Sequence, residues 1–331
     1  MLSKTGMAET GGHRSNAPEP DDEDVRAAQA AAARERFVAL ARRPEREIDL
    51  AEAALLIAAE EYPGLHVEGY LNALDRLAAR VRHRLRRTMA QPAPPDADEA
   101  ALRALHDVLF EEEGFHGPDT SEGYQHQDYF LSGALDRKRG LPIVLSVIYC
   151  EVARRAGLEA VGINLPLHFV AQFRGQHTSV LVDPFNRGAR LPNDALPAGV
   201  SADQLPVASK KQILARMLQN LKLFYLRSRP PEFLKALAAV ERILVVAPSI
   251  DQVRDRGLIL RGLGLQALER AAALQRVDRD AAFYLLTRAH QFLGPAWFDL
   301  KLHARLAEGW PDVQEIGDAA DQLWRLMGRH N

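Results

Sequence analysis

Leu50, Ala53, Ala54 and Ile57 recur at three- and four-residue intervals. They predict one apolar helix face that ends before Pro63-Gly64. The same spacing sets Leu71, Leu74, Leu77, Ala78 and Val81 along a second helix, over residues 68–89. Pro92, Pro94 and Pro95 break the pattern, and Asp98 is the expected cap of a third helix carrying Leu102, Leu105, Leu109 and Phe110. A polar, glycine-bearing loop over residues 114–127 leads to a short helix over 129–138. Gly140-Leu141-Pro142 then opens a strongly apolar helix, since proline at the first turn gives up no helical bond. Gly157 is the expected left-handed stop.

The period changes after Gly157. Residues 160–164, 169–173 and 179–182 carry β-branched or aromatic side chains between turn signals and predict short strands. Beyond Leu205-Pro206 helical spacing returns over 210–225, 231–246 and 250–272. Pro248, Pro295 and Pro311 are the expected breaks between paired helices, with no 34-residue repeat that holds across two units. Helices leading into a small run of strands give an α+β class with an antiparallel sheet. At the other end, Thr10-Gly11-Gly12 and Pro18-Glu19-Pro20 lie in a polar stretch that predicts a disordered start, with helix from Val25.

Composition narrows the function. Of 331 residues, 47% are hydrophobic and 26% charged, with a formal net charge of -2, which argues against a nucleic-acid partner. Arg80, Arg82, Arg84, Arg86 and Arg87 with His83 form the one basic cluster, expected to be a solvated helix face. No run of about 18 apolar residues suggests a membrane span, and no apolar leader is visible near the start. With Cys150 the single cysteine, the expected setting is a reducing cytoplasm. His13, His106, His116 and His126 lack the close spacing of a helical metal pair, so neither metal nor cofactor is expected.

The segment over 139–186 orders a helix start, His168 at a strand start, and Asp183 at the end of a later strand. A thiol-type site needs that order: a nucleophile on a helix dipole, a base, and an orienting carboxylate. Arg139-Gly140-Leu141-Pro142-Ile143-Val144-Leu145-Ser146, Gly162-Ile163-Asn164-Leu165-Pro166-Leu167-His168-Phe169 and Val182-Asp183-Pro184-Phe185-Asn186 closely resemble the SirB-one family. So do Glu60-Glu61-Tyr62-Pro63, the stretch from Ala215 to Lys222, and Arg254-Asp255-Arg256-Gly257, so that the likeness covers most of residues 36–275. The resemblance implies a papain- or transglutaminase-like core with a helical N-terminal part and a tetratricopeptide-like tail of helical hairpins. The implied division is a disordered tail at 1–35, the core at 36–205 and the tail at 206–331.

The resemblance maps His168 and Asp183 onto the catalytic histidine and its acidic partner, and puts Pro142 where active relatives carry cysteine. Ser146 lies one helical turn on and offers a hydroxyl, while Cys150 is expected to pack as a small buried residue. Two positions depart from the family: Asp128-Tyr129 stands for an Asn-Ser pair, and Leu167 for the glycine before the histidine. Loss of the nucleophile implies a non-catalytic module that binds a protein or peptide. Its expected binding residues are Pro142, Ser146, Asn164, His168, Phe169, Asp183, Phe185 and Asn186. The alternative is a hydrolase or acyltransferase with Ser146 or water as nucleophile and His168 as base. In a third reading, His168 and Asp183 are purely structural and wholly buried.

Overall fold

The computed structural model describes residues 22–119, 121, 123–166, 168–192, 204–307 and 312–329. Helix α1 spans Asp22–Ala41, α2 Leu50–Glu61, α3 Val67–Met89 and α4 Ala97–His106. Helix α5 spans Leu131–Arg137 and α6 Pro142–Ala156. Strands β1 (Glu159–Leu165), β2 (His168–Arg174), β3 (Ser179–Asp183) and β4 (Ala189–Arg190) follow, in antiparallel order β1-β2-β3-β4. Helices α7 (Lys210–Arg227), α8 (Phe233–Val246), α9 (Ile250–Leu274), α10 (Arg279–Leu306) and α11 (Val313–Arg329) complete the chain. The α+β class with one small antiparallel sheet holds.

Helix α6 is the centre of the first half. Pro142 sits at its first turn and Gly157 ends it at φ 82°, a conformation glycine adopts without steric cost. Ten of its side chains are buried, so it is apolar around most of its circumference. Strand alternation divides the sheet. Phe169, Ala171, Phe173 and Val182 join the main core with α6, whereas Ile163, Val170 and Leu181 form a separate cluster on the other face. The main core does not stop at the sheet. It runs on through Leu214, Leu221, Val240 and Leu263, and a second cluster around Leu293, Leu300 and Leu323 joins α9, α10 and α11.

Several expectations are corrected. The tail expected to be disordered over 1–35 is helical from Asp22, while residues 1–21, His13 among them, lie outside the described residues. Asp96, not Asp98, caps α4 by accepting from Asp98 N and Glu99 N. Asp98 instead takes the backbone N–H groups of Gln176, His177 and Thr178, tying α4 to the turn before β3. The helix after α4 loosens into a π-turn over Asp107–Glu112, and a 3-10 turn at His126–Tyr129 precedes α5. Pro295 does not separate helices: it lies inside α10, where buried Leu293 and Ala296 hold both sides of it to the core. Pro311 and Leu167 lie outside the described residues.

The basic cluster on α3 is neutralised in part. Arg80 pairs with Glu112 and Glu113, Arg84 with Asp107 and Glu112, and Arg82 donates to the Arg155 carbonyl. Among the described residues no helix is long and apolar enough to cross a membrane.

Candidate functional site

His168 is the first residue of β2, paired across the hairpin with Leu165. Its Nε2 lies 2.8 Å from Asp183 Oδ2, and the ring keeps 29% of its surface exposed while the carboxylate keeps 3%. With Nε2–H donating to the carboxylate, the neutral ring carries its lone pair on Nδ1. Asp183 ends β3 and caps the turn beyond it. Its carboxylate accepts from Phe185 N at 3.0 Å, Asn186 N at 3.4 Å and Asn186 Nδ2 at 2.6 Å. Burial works to raise the Asp183 carboxyl, but the hydrogen bonds from His168 and Asn186 outweigh it and hold it below the ordinary carboxylate range.

The Phe185 ring meets the imidazole edge-on, centroids 6.1 Å apart. Gly117 supports it from behind: Gly117 N donates to Phe185 O at 2.8 Å, and a Cβ at 117 would come within 2.3 Å of the ring. From α7, Arg216 Nη2 donates to the His168 carbonyl at 3.2 Å, and its guanidinium lies over Phe169 at 5.6 Å. His168, Asp183, Phe185 and Asn186 therefore form one constellation, joined through the backbone to Phe169.

The helix start is a different matter. Leu141 precedes Pro142 without any side-chain cap. Its N–H donates at 3.0 Å to the carbonyl of Asp128, whose own fully buried carboxylate holds Arg137 and Arg139. One turn on, Ser146 has no exposed surface and donates its hydroxyl to Phe169 O at 3.3 Å. This corrects the nucleophile role: the hydroxyl bonds a carbonyl, not the imidazole. Cys150 packs against the main core, where burial beside the Glu151 charge pushes its thiol well up, away from the reactive thiolate.

Asn164 is exposed on β1 opposite Phe169. Alternation puts it on the α6 face, whereas His168 and Asp183 share the face of Val170 and Leu181, so Asn164 does not join the constellation. The reading of His168 as wholly buried is also corrected, because the ring is open on one side. Sequence reasoning missed Arg216, although it lies within the stretch from Ala215 to Lys222 already singled out. It also missed the clamp of Asp128 by Arg137 and Arg139, marked in the sequence only by an acid where an Asn-Ser pair was expected. The other weighed histidines stand in separate settings: His106 near Glu111, His116 on the Gly114 carbonyl, His126 among aromatic rings. Among the described residues no group of three or more His, Cys, Asp or Glu side chains is placed to hold a metal ion.

As chemistry, the pair supplies a base with an orienting carboxylate, and the side chains at the α6 start supply no free nucleophilic atom. Comparison with protein families matches residues 68–221 to a transglutaminase-like superfamily domain, a span running from α3 into α7. A UPF0162 protein of Xylella fastidiosa strain Temecula1 is 29% identical over 251 residues, covering 72% of this chain and 84% of the relative. A UPF0162 protein of Pseudomonas aeruginosa is 30% identical over 208 residues, covering 60% and 72%. The mouse F-box only protein 21 is 28% identical over 132 residues, 36% of this chain and 21% of that protein. No solved structure matches the chain.

Proposed function

Since the chain belongs to the UPF0162 family and carries a transglutaminase-like domain, we propose that it is a non-catalytic protein- or peptide-binding module. In this reading it is a SirB-one-type pseudoenzyme, with its core over 36–205 and a tetratricopeptide-like helical tail over 206–331. The observation that carries it is at α6: Pro142 is inert, the Ser146 hydroxyl is bound to Phe169 O, and the Cys150 thiol is pushed up by burial. A base–carboxylate pair without a nucleophile still presents a partly exposed imidazole, with the Phe185 ring beside it. The reuse of a comparable 132-residue stretch as a fifth of a much longer protein also suits a portable module. Fold likeness alone does not bring activity with it.

The test uses the full chain. A photoreactive phenylalanine analogue in place of Phe185 is expected to crosslink partner segments, and His168→Ala is expected to leave the hydrolysis of activated esters and amides at buffer level. A second reading, hydrolysis by water with His168 as base, is favoured by the 2.8 Å dyad and its partly exposed ring. It predicts measurable turnover that His168→Ala lowers by about 100-fold, within the usual reach of general-base catalysis. Such a loss would replace the binding reading.

A further inference from the structure

A cavity of about 560 Å³ opens at the start of α6 and is bounded by the C-terminal turns of α7. That volume lies within the range of about 300–1,000 Å³ usual for ligand pockets. Leu141, the residue before Pro142, forms part of its lining, so it adjoins the α6 start while lying apart from the imidazole. Tyr129 and Phe224 form an apolar wall, their rings 4.9 Å apart, and Tyr124 extends it at 6.3 Å from Tyr129.

Arg227 and Arg229, both exposed, stand on the rim, and among the described residues no carboxylate lines the cavity. Neither guanidinium has an ion pair or hydrogen bond among the described residues, in contrast to Arg80 and Arg84, which are matched with acids. Asn220 also lines the cavity and makes no side-chain bond among the described residues. Its amide offers one acceptor and two donors, the complement of a peptide unit, which a bare anion would not use.

We propose that this cavity binds an acidic peptide segment: carboxylates pair with Arg227 and Arg229, Asn220 reads one peptide unit, and an apolar or aromatic side chain lies against the wall that Tyr129 and Phe224 form together. This rests on the peptide-binding reading and gives it a partner chemistry. Guanidinium and carboxylate pair through two parallel hydrogen bonds, which sets direction as well as charge. The ring wall adds burial for one side chain and favours an aromatic one.

The test is fluorescence anisotropy of the full chain with three labelled octapeptides that share a central Phe. One has Asp and Glu flanks, one Ser and Gln, and one Lys. The acidic peptide is expected to bind about tenfold or more tightly than the neutral one, with the preference shrinking as salt is raised. Arg227→Gln with Arg229→Gln is expected to erase that preference, and Tyr129→Ala to weaken acidic and neutral peptides alike. Both arginines are exposed, so circular dichroism and melting of the double variant should match the parent protein. Equal affinity for acidic and neutral peptides, or an acidic preference that survives the double variant, overturns the cavity assignment. If equal binding is also lost with Phe185→Ala, the surface at His168 keeps its role and only this cavity is refuted. Failure of every peptide to bind refutes both. Displacement of the acidic peptide by inorganic phosphate at equal concentration refutes the peptide assignment.

Discussion

His126 and His168 have nearly the same side-chain exposure, 24% and 29%, yet they are bonded in opposite ways. His126 uses both nitrogens: Nδ1 lies 3.2 Å from Tyr62 Oη and Nε2 3.3 Å from Tyr225 Oη. Tyr225 donates its proton to Glu61 at 3.0 Å, so Nε2 must carry the hydrogen and Nδ1 must accept from Tyr62. Phe224 stacks on the ring at 5.1 Å and Phe130 meets it edge-on at 5.1 Å. Among the described residues His168 bonds through Nε2 alone, to Asp183, and has one aromatic neighbour, at 6.1 Å. Exposure therefore says little about role here. The ring with both nitrogens engaged joins α2, α7 and the loop before α5, while the other ring keeps Nδ1 without a partner among the described residues.

The contrast can be broken most strongly at the carboxylate behind the open ring. Asp183→Ala removes the acceptor for His168 and for three donors in the following turn, all in a setting with 2% exposure. The expected loss is about 3 kcal/mol of unfolding free energy, the scale for breaking a buried charged network. Urea unfolding measures it, and a loss under about 1 kcal/mol would show that the turn holds without the carboxylate.

The histidines themselves come next. His126→Ala takes away two hydrogen bonds and a stacked ring at the joint, and is expected to cost about 2 kcal/mol. His168→Ala, which leaves Asp183 its three turn donors, is expected to cost about 1 kcal/mol or less. The reverse order in matched urea titrations would overturn the division into joint and open site.

Local patterns in the sequence were readable wherever they controlled local structure. Leu141-Pro142 and Gly157 bounded α6 because a first-turn proline and a left-handed glycine act within a few residues. The C-terminal signature also has a physical account: buried Lys222 pairs with Asp255 and Arg256 with Asp299, while Gly257 lets α10 approach, since a Cβ there would meet Leu300 at 2.9 Å. His126 was not readable as a joint, because Tyr62 and Tyr225 lie 64 and 99 residues away. Asp98 looked like a cap because Asp96, two residues earlier, has the same chemistry; only the fold shows that its partners are near residue 177. The dyad was legible by order and family likeness, but the fate of the Ser146 hydroxyl was not, since a serine reads the same whether it faces a ring or a carbonyl.

The smallest effect is the dependence of stability on pH. Burial pushes the His126 imidazole below its ordinary value of about 6.5, against the opposing pull of Glu61 and with Lys235 adding to the downward shift. A histidine lowered in the folded state binds more protons when unfolded. Its contribution is therefore complete above about pH 6.5 and is lost as pH falls towards the folded value. Asp183 is also lowered, from an ordinary value of about 3.9, so its contribution persists well below pH 5 and disappears only as pH falls through its folded value. Unfolding free energy measured between about pH 7 and 5 should therefore decline through His126. His126→Gln should flatten that slope, and Asp183→Asn should leave it in place while flattening the decline below about pH 4. A slope between pH 7 and 5 that persists unchanged in His126→Gln would show that His126 is not its source.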